Sequence, residues 1–503
     1  MTLSREQIGV LLLSVFVVAI CGLTYELMMG AVATTLFGSS VTYFSLTIGV
    51  FLSAMGVGSW VSRYITERLL LWFVGVEIAI GLVGGLAGVA VFAAYTSSPY
   101  VTFVLFGSLF CIGSLVGLEL PLLTRFLEPA GGIRVAISNV MALDYLGALV
   151  ASVGFPFLLL PQLGLLESFF AVGLLNLIVA GLTTAVFRKQ LPSFRIAGVV
   201  GVGAVILIGG FARADQMMSS FERRLYADPV IYVEQTPYQR VVITKHSGDV
   251  RLYIDGHLQL SSRDEYRYHE SLIHPPMQLA ASRARVLLLG AGDGLAAREV
   301  LSYPDVQSLE IVDLDPAMTK LATTHPDLLR MNGNALADPR VQVHNADAFT
   351  WLIDSPDRWS VIILDFPDPH DDGLAKLYST AMYNLVREHL SPGGVGVTQA
   401  SSPYFARDAF WTIHKTIEAS GLQALPYHAY VPAFGEWGFV LFGSSPIHWD
   451  RVKAPANARF LSASELQAMR SFPPDMQAKH AQVSTLDHPV VIELYRQGWK
   501  DFF

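Results

Sequence analysis

The first 212 residues of this 503-residue chain hold seven apolar stretches, each long enough to cross a hydrocarbon core as a helix. They lie near 8–30, 38–62, 69–95, 100–127, 137–162, 165–187 and 196–212, the last being the shortest. The first is not a cleaved leader, because it lacks a small-residue cleavage site and further apolar stretches follow. Across the whole chain 52% of residues are hydrophobic and 15% charged, too apolar for an ordinary soluble protein. The excess is confined to these 212 residues. The chain therefore reads as a membrane unit joined to a globular one, and Gly56, Gly58, Gly84, Gly85, Gly201 and Gly203 would let its helices approach closely.

Charge gives the membrane unit a direction. Arg5, Arg63, Arg68, Arg125, Arg134, Arg188, Lys189 and Arg195 precede the first stretch or fall in alternate loops, and the other loops have no Lys or Arg. The excess of positive charge on one side predicts a cytoplasmic N-terminus in a multi-pass protein of the cell membrane. Seven crossings would carry the globular part to the far side; six, with 196–212 lying in the interface, would keep it in the cytoplasm. Glu26, Glu77, Glu119 and Asp144 interrupt the apolar runs. Such acids suggest a cation path, or else sit near span ends or pair with Arg125 and Arg134. The net charge of −8 argues against a nucleic-acid partner and suits cationic ligands. The two cysteines, Cys21 and Cys111, lie in apolar segments, so the globular part has neither a disulfide framework nor a Cys-based zinc site.

After about residue 225 the pattern changes. Pro229 to Val233, Arg240 to Lys245 and Val250 to Ile254 predict short strands of a small β domain, followed by a helix from Arg263 to Leu279. Strands at Val286–Leu289, Ser308–Val312, Val341–His344, Val361–Leu364 and Gly394–Thr398 then alternate with helices, including Ala296–Ser302 and Pro316–Thr323. That alternation predicts a parallel, Rossmann-like (methyltransferase-type) α/β domain with its ligand at the carboxyl ends of the strands. The expected organisation is a transmembrane domain over 1–212, a linker and small β domain over 213–282, a catalytic domain over 283–450 and a helical extension over 451–503.

The first of these strands runs into Gly290-Ala291-Gly292-Asp293-Gly294, a turn whose glycines let the backbone approach a ligand. Alone it is a weak nucleotide signal, but Asp313 ends the next strand about 20 residues on, where an acid commonly holds ribose hydroxyls. Asp347-Ala348 after the third strand is an adenine contact or a surface turn. No P-loop lysine and no Gly-x-Ser-x-Gly elbow appears, and His269, His274, His344 and His370 lack metal spacing. In Asp365-Phe366-Pro367-Asp368-Pro369 a buried strand ends in two acids three residues apart. Paired acids there can fix an ammonium group and accept its proton.

These motifs resemble the spermidine synthase (polyamine aminopropyltransferase) family. The matching residues are Tyr238-Gln239, Asp255-Gly256-x-x-Gln259, Asp264-Glu265-x-x-Tyr268-His269-Glu270, the 290–294 turn and the 365–369 acids, in that order over about 225–450. The apolar first half is similar to the multi-pass, membrane-bound members. The resemblance implies that Gln239 contacts the donor nucleoside, with Tyr238 and Gln259 beside the substrates. It gives the ribose to Asp313 and the adenine to Asp347-Ala348. His269, Asp293 and Asp368 would hold amines, and Asp365 would be the catalytic base. Two departures stand out: the family more often has Glu at Asp313, and its Asp-Pro-x-Gly-Pro loop is replaced here by Pro369-His370-Asp371-Asp372.

The implied reaction carries the aminopropyl group of decarboxylated S-adenosylmethionine to a diamine such as putrescine, with the donor as co-substrate, no tightly bound cofactor and no metal. A homo-oligomer, dimer or tetramer, is expected, with the lipid bilayer as a further partner. A methyltransferase on the same fold is the nearest rival, although Asp293 would repel the carboxylate of intact S-adenosylmethionine. A polyamine transporter or sensor, using the globular part as a binding module, is the alternative from another class.

Overall fold

A computed structural model describes residues 4–37, 40–500 and 502, and the chain divides into two compact units, Met1–Ala227 and Asp228–Phe503. The first unit is a helical bundle: α1 (Arg5–Phe37), α2 (Ser40–Val61), α3 (Leu69–Ser97), α4 (Val101–Gly131), α5 (Ile133–Gly154), α6 (Leu160–Val186), α7 (Ser193–Phe211) and α8 (Ala214–Leu225). Residues 38 and 39 of the second apolar stretch lie outside the described residues.

Among the described residues, six helical stretches are long and apolar enough to cross a membrane. The fifth, Ile133–Val186, has 54 residues, which at about 1.5 Å per residue is more than twice a ~30 Å hydrocarbon core. It is broken at Gly164, whose φ of 74° and ψ of −175° leave the helical region. The contacts of its two arms with α1 show that the chain reverses there. On α5, Val140 shares a core with Leu11, and Gly147 packs against Phe16 and Ala19 further along α1. On α6 the order is inverted, with Cys21 beside Val172 and Ser14 beside Thr183. Two of the apolar segments read from sequence therefore belong to one long helical stretch that folds back on itself at Gly164. Helix α8 belongs to this unit rather than to the linker expected over 213 onward. It is amphipathic, and Met217, Met218 and Phe221 turn into the bundle core, Phe221 stacking on Phe92 at 6.1 Å.

The second unit begins with an antiparallel sheet of β1 (Val230–Gln235), β2 (Arg240–His246), β3 (Asp249–Ile254) and β4 (His257–Ser261), in that order. The last of these was not predicted, because it is only five residues long and follows β3 directly after the exposed Asp255-Gly256 turn. Helix α9 (Glu265–Leu279) leads into β5 (Arg285–Gly290), α10 (Leu295–Leu301), β6 (Ser308–Asp313), β7 (Val341–Asn345), β8 (Trp359–Asp365), β9 (Leu390–Gln399), β10 (Gln423–Val431) and β11 (Gly435–Gly443). The seven strands are ordered β10-β11-β9-β8-β5-β6-β7. β5 to β9 are parallel, while β11 and β10 join antiparallel at one edge.

The four inner residues of β5, Val286 to Leu289, are all buried, as are Val361 to Leu364 of β8. Both faces of these strands are covered, which is why they are continuous apolar runs rather than alternating ones. The strand order reverses between β5 and β8, so their carboxyl ends open the crevice where such sheets bind ligands. Beyond residue 451 the helical extension expected from sequence is mostly irregular, with helices only at Ala463–Ala468 and Val490–Lys500 and short 3-10 turns. Pro455, Pro473, Pro474 and Pro489 interrupt this stretch, and a proline cannot donate the backbone bond a helix interior needs.

Candidate active site

Register brings the reactive positions together. Gly290 and Asp365 are direct partners at the ends of β5 and β8. The turn after β5 is left-handed at Gly290 (φ 84°), Ala291 (φ 62°) and Gly294 (φ 81°), a path that glycine makes inexpensive. Gly292 is needed for a different reason. A Cβ there would stand 2.5 Å from Asp313 Oδ2, and its backbone N–H donates to that same oxygen at 2.9 Å. Asp315 N donates to Asp313 Oδ1 at 3.0 Å. The half-buried Asp313 carboxyl is pushed up to about 6 by desolvation, with the two amides pulling the other way.

Asp365 is the centre of the site. Tyr268 Oη donates to its Oδ1 at 2.5 Å. Burial pushes it up to about 6, against the pull of His269 and Tyr268 and with help from Asp293. Asp368 rises to about 6 by burial too, although Gln399 Nε2 and Ser401 Oγ each donate to it at 3.2 Å and the Tyr495 hydroxyl bonds it as well. The intervening residues are held from beneath: Tyr378 Oη donates to the Pro367 carbonyl at 2.8 Å and Gln399 Nε2 to that of Phe366 at 2.6 Å.

His269 is a buried cation in this setting. Burial opposes its charge, but Glu265 one turn earlier bonds its Nδ1 at 3.0 Å, and Asp293 and Asp365 lie close enough to add to the effect. The imidazole is pushed up to about 9. Glu265 is held down to about 2, despite its own burial, by His269 and by Arg298, which reaches it at 2.9 and 3.2 Å. Asp293 itself receives Leu295 N at 2.8 Å. Asp293 acts electrostatically on both Asp313 and Asp365, so the three strand-end acids and His269 share one field.

The other sequence-derived residues are placed less uniformly. Thr236 Oγ1 donates to Asp315 at 2.8 Å and accepts Gln239 N at 3.0 Å, which ties the β1–β2 turn that carries Gln239 to the segment after β6. Tyr238, on the same turn, is 53% exposed. Gln259 donates to the His257 carbonyl, and the His257 ring lies 4.4 Å from that of His370, so this edge of β4 borders the loop after Asp368. Asp347 caps the helix Ala348–Asp354 through Thr350 N at 3.0 Å, and its other oxygen binds Lys376 at 2.6 Å. Glu270, although within the quoted motif, serves architecture, accepting the amides of Arg459, Phe460 and Leu461 at 2.7 to 3.0 Å.

Sequence reasoning gave no role to Tyr268, Tyr378, Gln399, Ser401 or Tyr495. Gln399 had a signal, since it ends the strand beside β8 and strand ends are where ligands gather. Tyr495 had none, lying in a helix more than 120 residues beyond the acid it bonds.

A doubly wound sheet with a glycine turn and carboxylates gathered at its switch point has the form of the ligand site of an open α/β enzyme. A family model for the spermine/spermidine synthase domain matches residues 265–448. The chain is 41% identical over 97% of its length to a polyamine aminopropyltransferase of Leptospira interrogans, covering 98% of that protein. It is 43% identical to polyamine aminopropyltransferase 2 of Ralstonia nicotianae, with 98% of each chain covered. The Mycobacterium tuberculosis polyamine aminopropyltransferase is 38% identical over 98% of this chain and 96% of its own. A solved spermidine synthase from Thermotoga maritima aligns with a TM-score of 0.43 at 22% identity, over 48% of this chain and 84% of that one. The chain belongs to the polyamine aminopropyltransferase (spermidine synthase) family, and it is an aminopropyltransferase.

Proposed function

We propose that the enzyme transfers the aminopropyl group of decarboxylated S-adenosylmethionine to a diamine such as putrescine, giving spermidine and methylthioadenosine. The supporting observation is the half-buried Asp365, bonded by Tyr268 and facing Asp293 and His269. The sulfonium donor brings its own leaving group, so the protein must supply a deprotonated amine held in line. An aliphatic ammonium near pKa ~10.4 gives its proton to an ordinary aspartate only at a cost of about 9 kcal/mol. With Asp365 at about 6 the gap shrinks to about 6 kcal/mol, so burial removes roughly a third of the barrier to deprotonation.

Asp365 acts as the base, and Asp368, Asp293 and His269 orient the amines of acceptor and donor. The 290–294 turn, Asp313 and Gln239 hold the nucleoside, with Asp347-Ala348 at its adenine and Tyr238 and Gln259 at the rim. Incubating the purified chain with the decarboxylated donor and a panel of amines, then weighing the products, tests this directly. Tighter calorimetric binding of intact S-adenosylmethionine than of the decarboxylated donor would instead favour methyl transfer.

The helical unit crosses the cell membrane in this reading. Its basic residues gather at the end where α1 begins, as with Arg125, which donates to the Ser62 and Ile65 carbonyls. The positive-inside rule makes that end cytoplasmic. Cleavage of residues 213–503 by added protease in oriented vesicles tests the orientation. Light scattering of the detergent-solubilised chain measures whether it is the expected dimer or tetramer.

A further inference from the structure

Within the helical unit two carboxyls meet with nothing to satisfy them. Glu77 of α3 and Glu119 of α4 are 0% and 1% exposed, and among the described residues none of their four oxygens has a hydrogen-bond partner. They act on each other electrostatically, and Asp144 of α5 acts on Glu119. Cys21 and Tyr25 of α1 face the pair. From α6 comes Asn176, which is 1% exposed. Its Nδ2 donates to the Val172 carbonyl at 3.1 Å and the side chain lies against the Tyr25 hydroxyl, while its Oδ1 meets no donor among the described residues. No cationic side chain is among the groups that act on either glutamate. Arg125, six residues after Glu119, is occupied by the carbonyls of Pro121, Ser62 and Ile65.

An ionised carboxylate in dry surroundings costs several kcal/mol unless a cation offsets it. Here the protein supplies none, so the compensating charge must be mobile. We propose that Glu77, Glu119, Tyr25 and Asn176 form a second cation site, at which protons and the ammonium group of an aliphatic amine exchange. Each ammonium that enters displaces one carboxyl proton to solvent, so charge balances and no bond other than O–H changes. The donor set favours an ammonium over a metal ion. It offers separate oxygen acceptors to a three-donor head group. The surrounding wall is apolar and aromatic, with Phe169 stacked 6.3 Å from Tyr25, as an alkyl chain requires. No group of His, Cys, Asp and Glu among the described residues is arranged to hold a metal. The oxygens are shut off from bulk solvent in this conformation. The site is independent of the roles assigned to Asp365 and its neighbours, and the enzyme's own substrates and products are amines of this kind.

The test uses the full-length chain in detergent. Equilibrium dialysis with labelled putrescine at about pH 8 should show two classes of site. In the Glu77→Gln, Glu119→Gln double variant one class weakens at least ~10-fold, while spermidine formation stays at the parental rate. Equal binding by parent and double variant overturns the proposal. A measurement that needs no glutamate variant is infrared difference spectroscopy on an Asp365→Asn, Asp368→Asn background. Putrescine should remove protonated-carboxyl absorbance there, and an unchanged carboxyl band refutes the exchange. If the dialysis result holds while no amine forms spermidine, the second site stands and the proposed catalysis fails.

Discussion

Replacing Tyr268 by Phe tests the catalytic role of Asp365 most sharply. The substitution keeps the ring, which packs against Phe439 and Phe434, and removes only the hydroxyl that donates to Asp365 at 2.5 Å. A hydrogen bond to a charged acceptor contributes about 1.5–3 kcal/mol, and 1.36 kcal/mol corresponds to one pH unit, so the loss is worth about 1–2 units. The bond favours the ionised form, so its removal raises the Asp365 pKa from about 6 to about 7 or higher. Because the base must be ionised, the acidic limb of kcat/KM should move up by about one unit. At pH 6 the active fraction falls from about a half to about a tenth, roughly fivefold, whereas at pH 8 it hardly changes. The assay is methylthioadenosine release between pH 5 and 9. Ser401→Ala, which alters only the partners of Asp368, should leave this limb where it is. A Tyr268→Phe profile that superimposes on the parent's, or shifts to lower pH, refutes Asp365 as the titrating base.

Three further outcomes follow from the same geometry. Asp365→Asn should lower kcat/KM by about 10²–10⁴ with donor binding retained, measured by product formation and calorimetry. Gly292→Ala should push Asp313 aside and raise the KM for the donor more than that for the amine, since its Cβ would lie 2.5 Å from the Asp313 carboxylate. The Glu265–His269 pair sets a pH window for stability. Glu265, held down to about 2, stabilises above its unfolded value of 4.5 and loses this as pH falls towards 2. His269, held up to about 9, stabilises below 6.5 and loses this as pH rises through 9. The apparent Tm should peak between about 4.5 and 6.5, and Glu265→Gln should lower that peak and flatten the alkaline slope.

The parallel strands were legible because each is a buried apolar run bounded by turn residues, and Asp293, Asp313 and Asp365 were legible because they end such runs. β10 and β11 were not anticipated. Their pairing depends on the edge of β9, and Gln423–Val431 alternates too weakly to announce itself. The reversal at Gly164 was readable as a break between two apolar stretches, but its direction needed the contacts with α1. Tyr268 sat inside a recognised motif, yet only the fold shows that its hydroxyl donates to Asp365. Tyr495 and Ser401 reach Asp368 across long sequence separations that no local pattern records.

The two acids differ in what restrains them beyond their own side chains. Asp365 closes a strand flanked by parallel neighbours, and the carbonyls of Phe366 and Pro367 are gripped by Gln399 and Tyr378. From His370 onward the chain leaves the sheet: the His370 ring meets that of His257, Arg496 holds the His370 carbonyl, and Asp371 caps the next short helix through Leu374 N. The proposed base thus lies on the more firmly held part of the segment. In the proposed reaction the tail of that loop can therefore vary with little disturbance to Asp365.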